Sequence, residues 1–228
     1  MEEFEDEFPI PKRLLERMSM LLGTDGFKQT APGMFVKDMG AEWKAWIAIS
    51  GESYSLDPRI GVYNEELVNI GARARAMVGY PSTQPPETGP PLIMKDLEQL
   101  IGEDADCQKH LTWHMDLEEH IAAGRNYMPE LKTEVADDLV YCLRKKAFPF
   151  FVAHTTFQSI VDAISTRECW PSPACIHYFP LILIKLGLGK DIPRFVKERA
   201  AEMKNENVAD LYERYVDALL KLVPAWES

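Results

Sequence analysis

The side chains most suited to binding a metal ion lie in one segment near the middle of the chain: Cys107, His110, His114 and His120. If this segment is helical, His110 and His114 lie one turn apart on one face, as a two-histidine zinc site requires. The carboxylates of three nearby residues could add an oxygen ligand: Asp116, Glu118 and Glu119. One hypothesis is therefore a small metal-dependent hydrolase built on Cys107, His110 and His114.

The spacing in this segment argues against a metal site. It has no His-Glu-x-x-His motif, and no second cysteine lies two to four residues from Cys107. If the segment is a strand, His110 and His114 share a face but lie too far apart to bind one ion without a bend. We therefore predict no metal site and no cofactor, and interpret the histidines as surface or partly buried residues of an acidic segment.

Other patterns that could support catalysis are weaker. Cys169 and Cys175 flank Trp-Pro-Ser-Pro-Ala and are interpreted as small core residues at the ends of a turn. A cysteine nucleophile needs a histidine base, and the sequence places neither His154 nor His177 beside them. The chain has no Gly-x-Ser-x-Gly elbow, no phosphate-binding loop and no dinucleotide fingerprint. The prediction is a protein without catalytic residues, not an enzyme.

Composition and charge narrow the kinds of partner. The 228 residues suffice for one large domain, and their formal net charge is −11. Such a surface repels nucleic acid and acidic membranes, and it either attracts a basic partner or serves solubility alone. The first seven residues carry five acids, the opposite of a secretory signal, and no run of 18 apolar residues occurs. We expect a cytoplasmic protein with reduced cysteines, as a monomer or small homo-oligomer.

The stretch Met34 to Ser50, MFVKDMGAEWKAWIAIS, predicts a β-hairpin. Its strands are placed at Met34–Lys37 and Glu42–Ser50, with the turn at Asp38–Gly40. Alternation in the second strand puts four apolar residues on the core face: Trp43, Ala45, Ile47 and Ile49. Trp46 falls on the opposite face beside charged residues, where either another element or a partner covers it.

The remaining pattern predicts an α+β fold, in which the hairpin and a third strand form a small antiparallel sheet packed with helices. A helix is predicted at Pro11–Leu22, the third strand at Arg59–Tyr63, and a helix capped by Asn64 runs to about Val78. The inward apolar stripe of this second helix is predicted to leave Arg73 and Arg75 outside it and to contain Leu67, Ile70, Ala74, Met77 and Val78. The five prolines of residues 80–91 predict a long loop that either crosses a single domain or joins subdomains 9–80 and 92–228. The second half is predicted to be mostly helical. Its helices are Pro129–Lys146 ended by Pro149, a helix capped by Thr155 or Thr156, Ala174–Leu186 kinked by Pro180, and a last helix whose apolar stripe runs from Val208 to Val223.

Three segments carry a resemblance to a known family: GMFVKDMGAEWKAWIAIS with its two tryptophans, RIGVYNEELV, and PLILIKLGLGKDIPRFVKE. The first two resemble the α+β immunity proteins of bacterial polymorphic toxin and type VI secretion systems, in particular the immunity protein 52 family. The third is similar to related immunity-like α+β domains of unknown function. The resemblance implies a protein without enzymatic activity that binds a cognate protein toxin, for this family a nuclease, and blocks it. An effector adaptor or chaperone that binds without inhibiting is a further alternative.

If the protein blocks a nuclease, its acidic side chains are expected to occupy the basic cleft that holds phosphates, by steric and electrostatic occlusion. The candidate contact residues near the sheet are exposed acidic or aromatic positions: Asp38, Glu42, Trp46, Glu52, Asp57, Glu65 and Glu66. A second acidic run is an equal candidate: Glu103, Asp104, Asp106, Asp116, Glu118 and Glu119. The sequence does not choose between the two surfaces.

Overall fold

The protein has the predicted α+β fold, with a six-stranded sheet in the order β1-β2-β3-β4-β5-β6 and a mostly helical second half. A computed structural model describes residues 10–52, 55–79, 91–113, 122, 124, 130–171, 175–203 and 205–223. The strands are β1 Lys28–Ala31, β2 Met34–Gly40, β3 Trp43–Glu52, β4 Ser55–Asn64, β5 Ile93–Asp96 and β6 Trp170–Pro171.

The α-helices of the described residues are α1 Lys12–Thr24, α2 Glu65–Val78, α3 Leu97–Ile101, α4 Ala105–Gln108, α5 Val135–Cys142, α6 Phe148–Ala153, α7 Phe157–Ser165, α8 Cys175–Lys185, α9 Ile192–Glu202 and α10 Glu206–Leu222. A π-helical turn, Leu143–Ala147, joins α5 to α6, and a 3-10 turn, Gly189–Asp191, precedes α9. Among these described helices, none is long and apolar enough to cross a membrane.

The chain divides into two compact units, and neither is a continuous stretch. Unit 1 comprises Met1–Asp38, Ala45–Gly61 and Lys95–Ala153, and α1 packs against α5 within it. Unit 2 comprises Met39–Lys44, Val62–Met94 and His154–Ser228, and α2 packs there against α10 and α8. Each unit therefore takes residues from both sides of the proline-rich segment 80–91, most of which lies outside the described residues.

The hairpin is confirmed, but its turn is not where the sequence placed it. β2 continues through the predicted turn to Gly40, and the turn residues are Ala41 and Glu42. Strand β1 pairs antiparallel with β2 and was not predicted, because Lys28–Ala31 is short and polar. The third strand also begins earlier than predicted, at Ser55. The four residues placed on the core face of β3 are all buried: Trp43, Ala45, Ile47 and Ile49.

Helix α2 begins as the sequence predicts. The Asn64 side chain accepts a hydrogen bond from the Leu67 N–H at 3.2 Å, and two glutamates occupy the first turn. The helix ends at Gly79, whose φ of 68° provides the left-handed C-cap. Met77 was predicted to face inward but is 56% exposed, because the buried side of the helix ends at Ala74.

Pro149 does not end its helix as predicted. The π-helical turn Leu143–Ala147 lies immediately before it, and α6 then carries Pro149 on to Ala153. A proline inside a regular α-helix removes a hydrogen bond and clashes with the carbonyl four residues earlier. The extra residue of a π-helical turn changes that register, and the helix passes the proline instead of stopping.

Pro180 lies inside α8, and two tyrosines of α10 compensate for it. Because proline lacks an N–H, the carbonyl of Ile176 loses its helical partner. The hydroxyl of Tyr212 donates to this carbonyl at 3.3 Å, and the hydroxyl of Tyr215 donates to the carbonyl of His177 at 3.2 Å. Both tyrosine side chains are fully buried, so the repair takes place within the core of unit 2.

Helix α7 begins at the second of its two predicted caps: Thr156 forms a capping box with Ser159. The last helix is confirmed along most of its stripe, with Tyr212, Tyr215 and Val216 buried. Val208, in its first turn, is 43% exposed and does not belong to the buried face.

Candidate functional site

Three of the predicted contact residues lie close together in unit 2, and we call Glu42, Glu65 and Glu66 the acidic corner. The Glu65 N–H donates to the Glu42 carbonyl at 2.8 Å, which ties the hairpin turn to the first turn of α2. Glu65 pairs with Lys44 at 3.0 Å. Glu66 pairs with Lys185 of α8, whose Nζ lies 2.7 Å from both carboxylate oxygens. Two of the three carboxylates of the corner are thus neutralised within the unit.

Glu42 differs from its two neighbours in backbone and in partners. The φ angles are 85° at Gly40, 48° at Ala41 and 66° at Glu42, all in the left-handed region. A two-residue hairpin turn of type I′ needs positive φ at both central positions, and Asn-Gly or Asp-Gly usually provide it. For alanine and for glutamate, a left-handed backbone costs about 1 kcal/mol per residue. The Glu42 side chain is exposed, and no cation of the described residues forms an ion pair with it.

Relieving this turn is expected to stabilise the protein. Ala41→Asn and Glu42→Gly should each raise the free energy of unfolding by about 0.5–1 kcal/mol, because asparagine and glycine adopt left-handed backbone more readily. Urea unfolding at neutral pH measures the change. Ala76→Gly is the control, since it places glycine at an exposed position inside α2 and should lose about 1 kcal/mol. If Glu42→Gly lowers the free energy of unfolding as much as Ala76→Gly does, the turn is not strained.

The remaining predicted contact residues are not part of this corner. Asp38 is exposed in β2, and Asp57 of β4 pairs with Arg59 at 2.7 Å. The sequence leaves open whether another element or a partner covers Trp46; the residue is 8% exposed, so the protein itself covers it and its place among the exposed contact positions is wrong. The Glu52 side chain and residues Glu118 and Glu119 lie outside the described residues.

In the second acidic run, the structure describes Glu103, Asp104 and Asp106, of which Asp104 is the most constrained. Its carboxylate accepts from Lys146 Nζ at 2.7 Å and Lys145 Nζ at 2.9 Å, and it caps α4 through the N–H groups of Asp106 and Cys107. Hydrogen bonds from these lysines, first Lys146 and then Lys145, hold the pKa of Asp104 well below its usual range. Two lysines therefore already occupy the best-placed carboxylate of this surface.

In the described part of the predicted metal segment, the candidate ligand side chains do not lie together around one point. Cys107 is fully buried, whereas the His110 ring is partly exposed and its Nδ1 lies 2.6 Å from Asp138 Oδ1. The other carboxylate oxygen of Asp138 accepts from Thr112 Oγ1 at 2.8 Å. Within the described ranges no three histidine, cysteine or acidic residues are placed to hold a metal ion. His114, His120 and Asp116 lie outside those ranges.

All four cysteines are buried and are not joined by disulfides among the described residues. Burial, with a smaller effect of neighbouring Cys107, raises the pKa of Cys142 to about 12. Burial alone raises the pKa of Cys175 to about 12. Since the thiolate is the reactive form, neither of these two thiols is suited to be a nucleophile at neutral pH.

A second polar cluster, not anticipated from the sequence, lies among α2, α8 and α10 in unit 2; we call Arg75, His177 and Tyr178 the arginine cluster. Arg75 Nη2 donates to the Tyr178 hydroxyl at 3.2 Å, and its Cζ lies 5.8 Å from the centroid of that ring. Burial, and next the charge of Arg75, lower the pKa of His177 to about 4. Arg75 lies off the predicted apolar stripe of α2. The sequence signal for this cluster is Gly71, one turn earlier on the same face, which allows Tyr178 to approach.

Comparisons with family models, curated proteins and solved structures find no match to this chain. The resemblance to the immunity protein 52 family therefore stays a prediction.

Proposed function

We propose that this chain is a binding protein that neutralises a secreted bacterial toxin, a nuclease with a basic active-site cleft, by occluding that cleft. The observation that carries the proposal is the conformation of Glu42. A residue that prefers other backbone angles occupies a left-handed position in the hairpin turn, and its carboxylate is exposed. Strained backbone is most often retained where a side chain has a task, and here that task is to present a negative charge.

The charge of the protein supports the same kind of partner. At −11, the chain should be steered toward a cationic surface, which raises the rate of association at low salt. A cleft that holds phosphates is such a surface. Within the acidic corner, Lys44 and Lys185 already neutralise Glu65 and Glu66, so Glu42 is the carboxylate left for a partner's lysine or arginine.

Charge reversal at Glu42 tests this proposal. The chain is co-expressed with a tagged candidate nuclease toxin, the pair is pulled down at low and moderate salt, and DNA cleavage is assayed with and without the chain. The wild type should bind and abolish cleavage. Glu42→Lys should weaken binding at least about ten-fold, because it places a cation against a cationic cleft. Ala41→Asn, which relaxes the same turn but keeps the carboxylate, should bind like the wild type.

The matched control is Glu213→Lys, which makes the same change of charge at an exposed position on α10. It should have a small effect that disappears at moderate salt. If Glu42→Lys and Glu213→Lys weaken binding equally, net charge alone drives binding, and the acidic corner is not part of the interface. Binding with cleavage intact would indicate an adaptor instead of an inhibitor.

The alternative of a metal-dependent hydrolase rests on one pair of residues. Asp138 binds His110 Nδ1, which leaves Nε2 as the nitrogen for an ion, and metal-binding histidines often have such a carboxylate partner. Metal analysis of the purified protein separates the two functions, since a hydrolase of this kind should carry stoichiometric zinc and lose it in His110→Ala.

A further inference from the structure

The Arg75 guanidinium has more donors than acceptors around it. A guanidinium carries five N–H groups. Among the described residues its one hydrogen bond goes to the Tyr178 hydroxyl, and its Nε is buried without a partner. No carboxylate of the described residues forms an ion pair with it, although 13 other described lysines and arginines do have such pairs. A half-buried cation without a counter-ion is unfavourable.

As far as the described residues show, the Tyr178 hydroxyl also has a donor without an acceptor. Its side chain is fully buried, and its hydroxyl oxygen accepts from Arg75. Within the described part of the chain that hydroxyl has no acceptor for its own proton. Buried polar groups are almost always hydrogen-bonded, so two neighbouring donors without an acceptor indicate that an acceptor is missing between them.

The surrounding helices hold these donors in place. Gly71 lies one turn before Arg75 on α2, and a Cβ there would lie 2.5 Å from Tyr178 Cε1 and 3.1 Å from the Tyr215 hydroxyl. The absence of a side chain at Gly71 therefore brings the Tyr178 ring close to α2, where Arg75 reaches it. Tyr215 fixes the same turn of α8 by donating to the carbonyl of His177.

We propose that the arginine cluster binds a small oxyanion, a phosphate or a carboxylate group, through Arg75 and Tyr178. The guanidinium supplies the charge and the N–H groups that match two oxygens of such an anion, and the tyrosine supplies a further donor. The site lies within unit 2 and does not depend on the acidic corner or on the proposed inhibition of a toxin.

Titration of the full chain with inorganic phosphate and, separately, acetate tests the site, with sodium chloride at matched ionic strength as the reference. The melting temperature and isothermal calorimetry give the binding curve. A ligand that binds only the folded state raises the melting temperature in a saturable manner. Saturation by phosphate alone identifies a phosphate site, by acetate alone a carboxylate site, and by both a general oxyanion site.

Two variants and one control decide whether the binding belongs to these residues. Arg75→Met should weaken binding by at least about ten-fold, and Tyr178→Phe, which keeps the ring, by about three- to ten-fold. Arg73→Met is the control, because Arg73 lies on the same helix but is exposed. It should bind like the wild type. No saturable binding of either anion to the wild type, or equal losses in Arg73→Met and Arg75→Met, would overturn the site. If Arg75→Met does not fold, Tyr178→Phe against Arg73→Met decides the same question.

Discussion

Gly71→Ala is expected to lower the free energy of unfolding by about 2 kcal/mol, although alanine is the better helix former. Gly71 lies buried in the middle of α2, and an added Cβ would meet the Tyr178 ring at 2.5 Å and the Tyr215 hydroxyl at 3.1 Å. Both tyrosines are fully buried and cannot swing aside. Overpacking of this kind costs about 3 kcal/mol, and the gain in helix propensity returns about 1 kcal/mol.

Gly23→Ala is the matched control for this prediction. Gly23 also lies within a helix, α1, but it is exposed and no atom lies within 4 Å of the Cβ position. Alanine there should therefore raise the free energy of unfolding by up to about 1 kcal/mol. Urea unfolding of the two variants should give changes of opposite sign. Stabilisation by Gly71→Ala would show that α2 and α8 do not approach as closely as described.

Acid is expected to destabilise the protein through His177. The folded state holds the pKa of this imidazole at about 4, against an ordinary value of 6.5. Between these values the unfolded chain binds more protons than the folded chain, so stability falls as the pH falls. The penalty is absent above pH 6.5 and complete below pH 4. The loss between pH 7 and pH 5 should be about 1–2 kcal/mol.

The groups around His177 explain why its pKa is lowered, and substituting them provides controls for the pH dependence. Arg75 of α2 adds a positive charge, and the rings of Tyr212 and Tyr215 of α10 lie 5.9 Å and 5.5 Å from the imidazole and shield it from water. His177→Gln should flatten the pH dependence of urea unfolding between pH 5 and pH 7. Arg75→Met should flatten it only in part, because burial is the larger cause. An unchanged slope in His177→Gln would assign the acid sensitivity to another group.

Local sequence signals predicted the fold where the structure depends on local chemistry. Asn64 and Thr156 cap their helices as predicted, since a capping side chain acts on backbone groups two or three residues away. The hairpin was found from its alternation. Its turn was misplaced because Gly40 was taken as a turn residue, whereas the turn is made by Ala41 and Glu42, two residues that rarely adopt left-handed backbone.

The features that the sequence did not predict depend on contacts distant along the chain. Trp46 is buried although it lies on the second face of β3, and alternation within one strand cannot show this. Pro149 continues a helix because a π-helical turn precedes it. The arginine cluster joins Arg75 to residues about 100 positions later. The acidic corner was predicted as individual glutamates, but their pairing and the strain at Glu42 required the structure.

The packing of α2 against α10 within unit 2 also bears on how this protein is made. The apolar face of α2 leaves the ribosome about 140 residues before α10, which at roughly 5–20 residues per second is a delay of roughly 7–30 s. During that time Leu67, Val68 and Ala74 lack the partner that buries them. Similarly, α1 is synthesised well before α5, the helix against which it packs. Because its principal helix contacts are so distant in sequence, the nascent chain should fold late and slowly and should depend on chaperones to avoid aggregation.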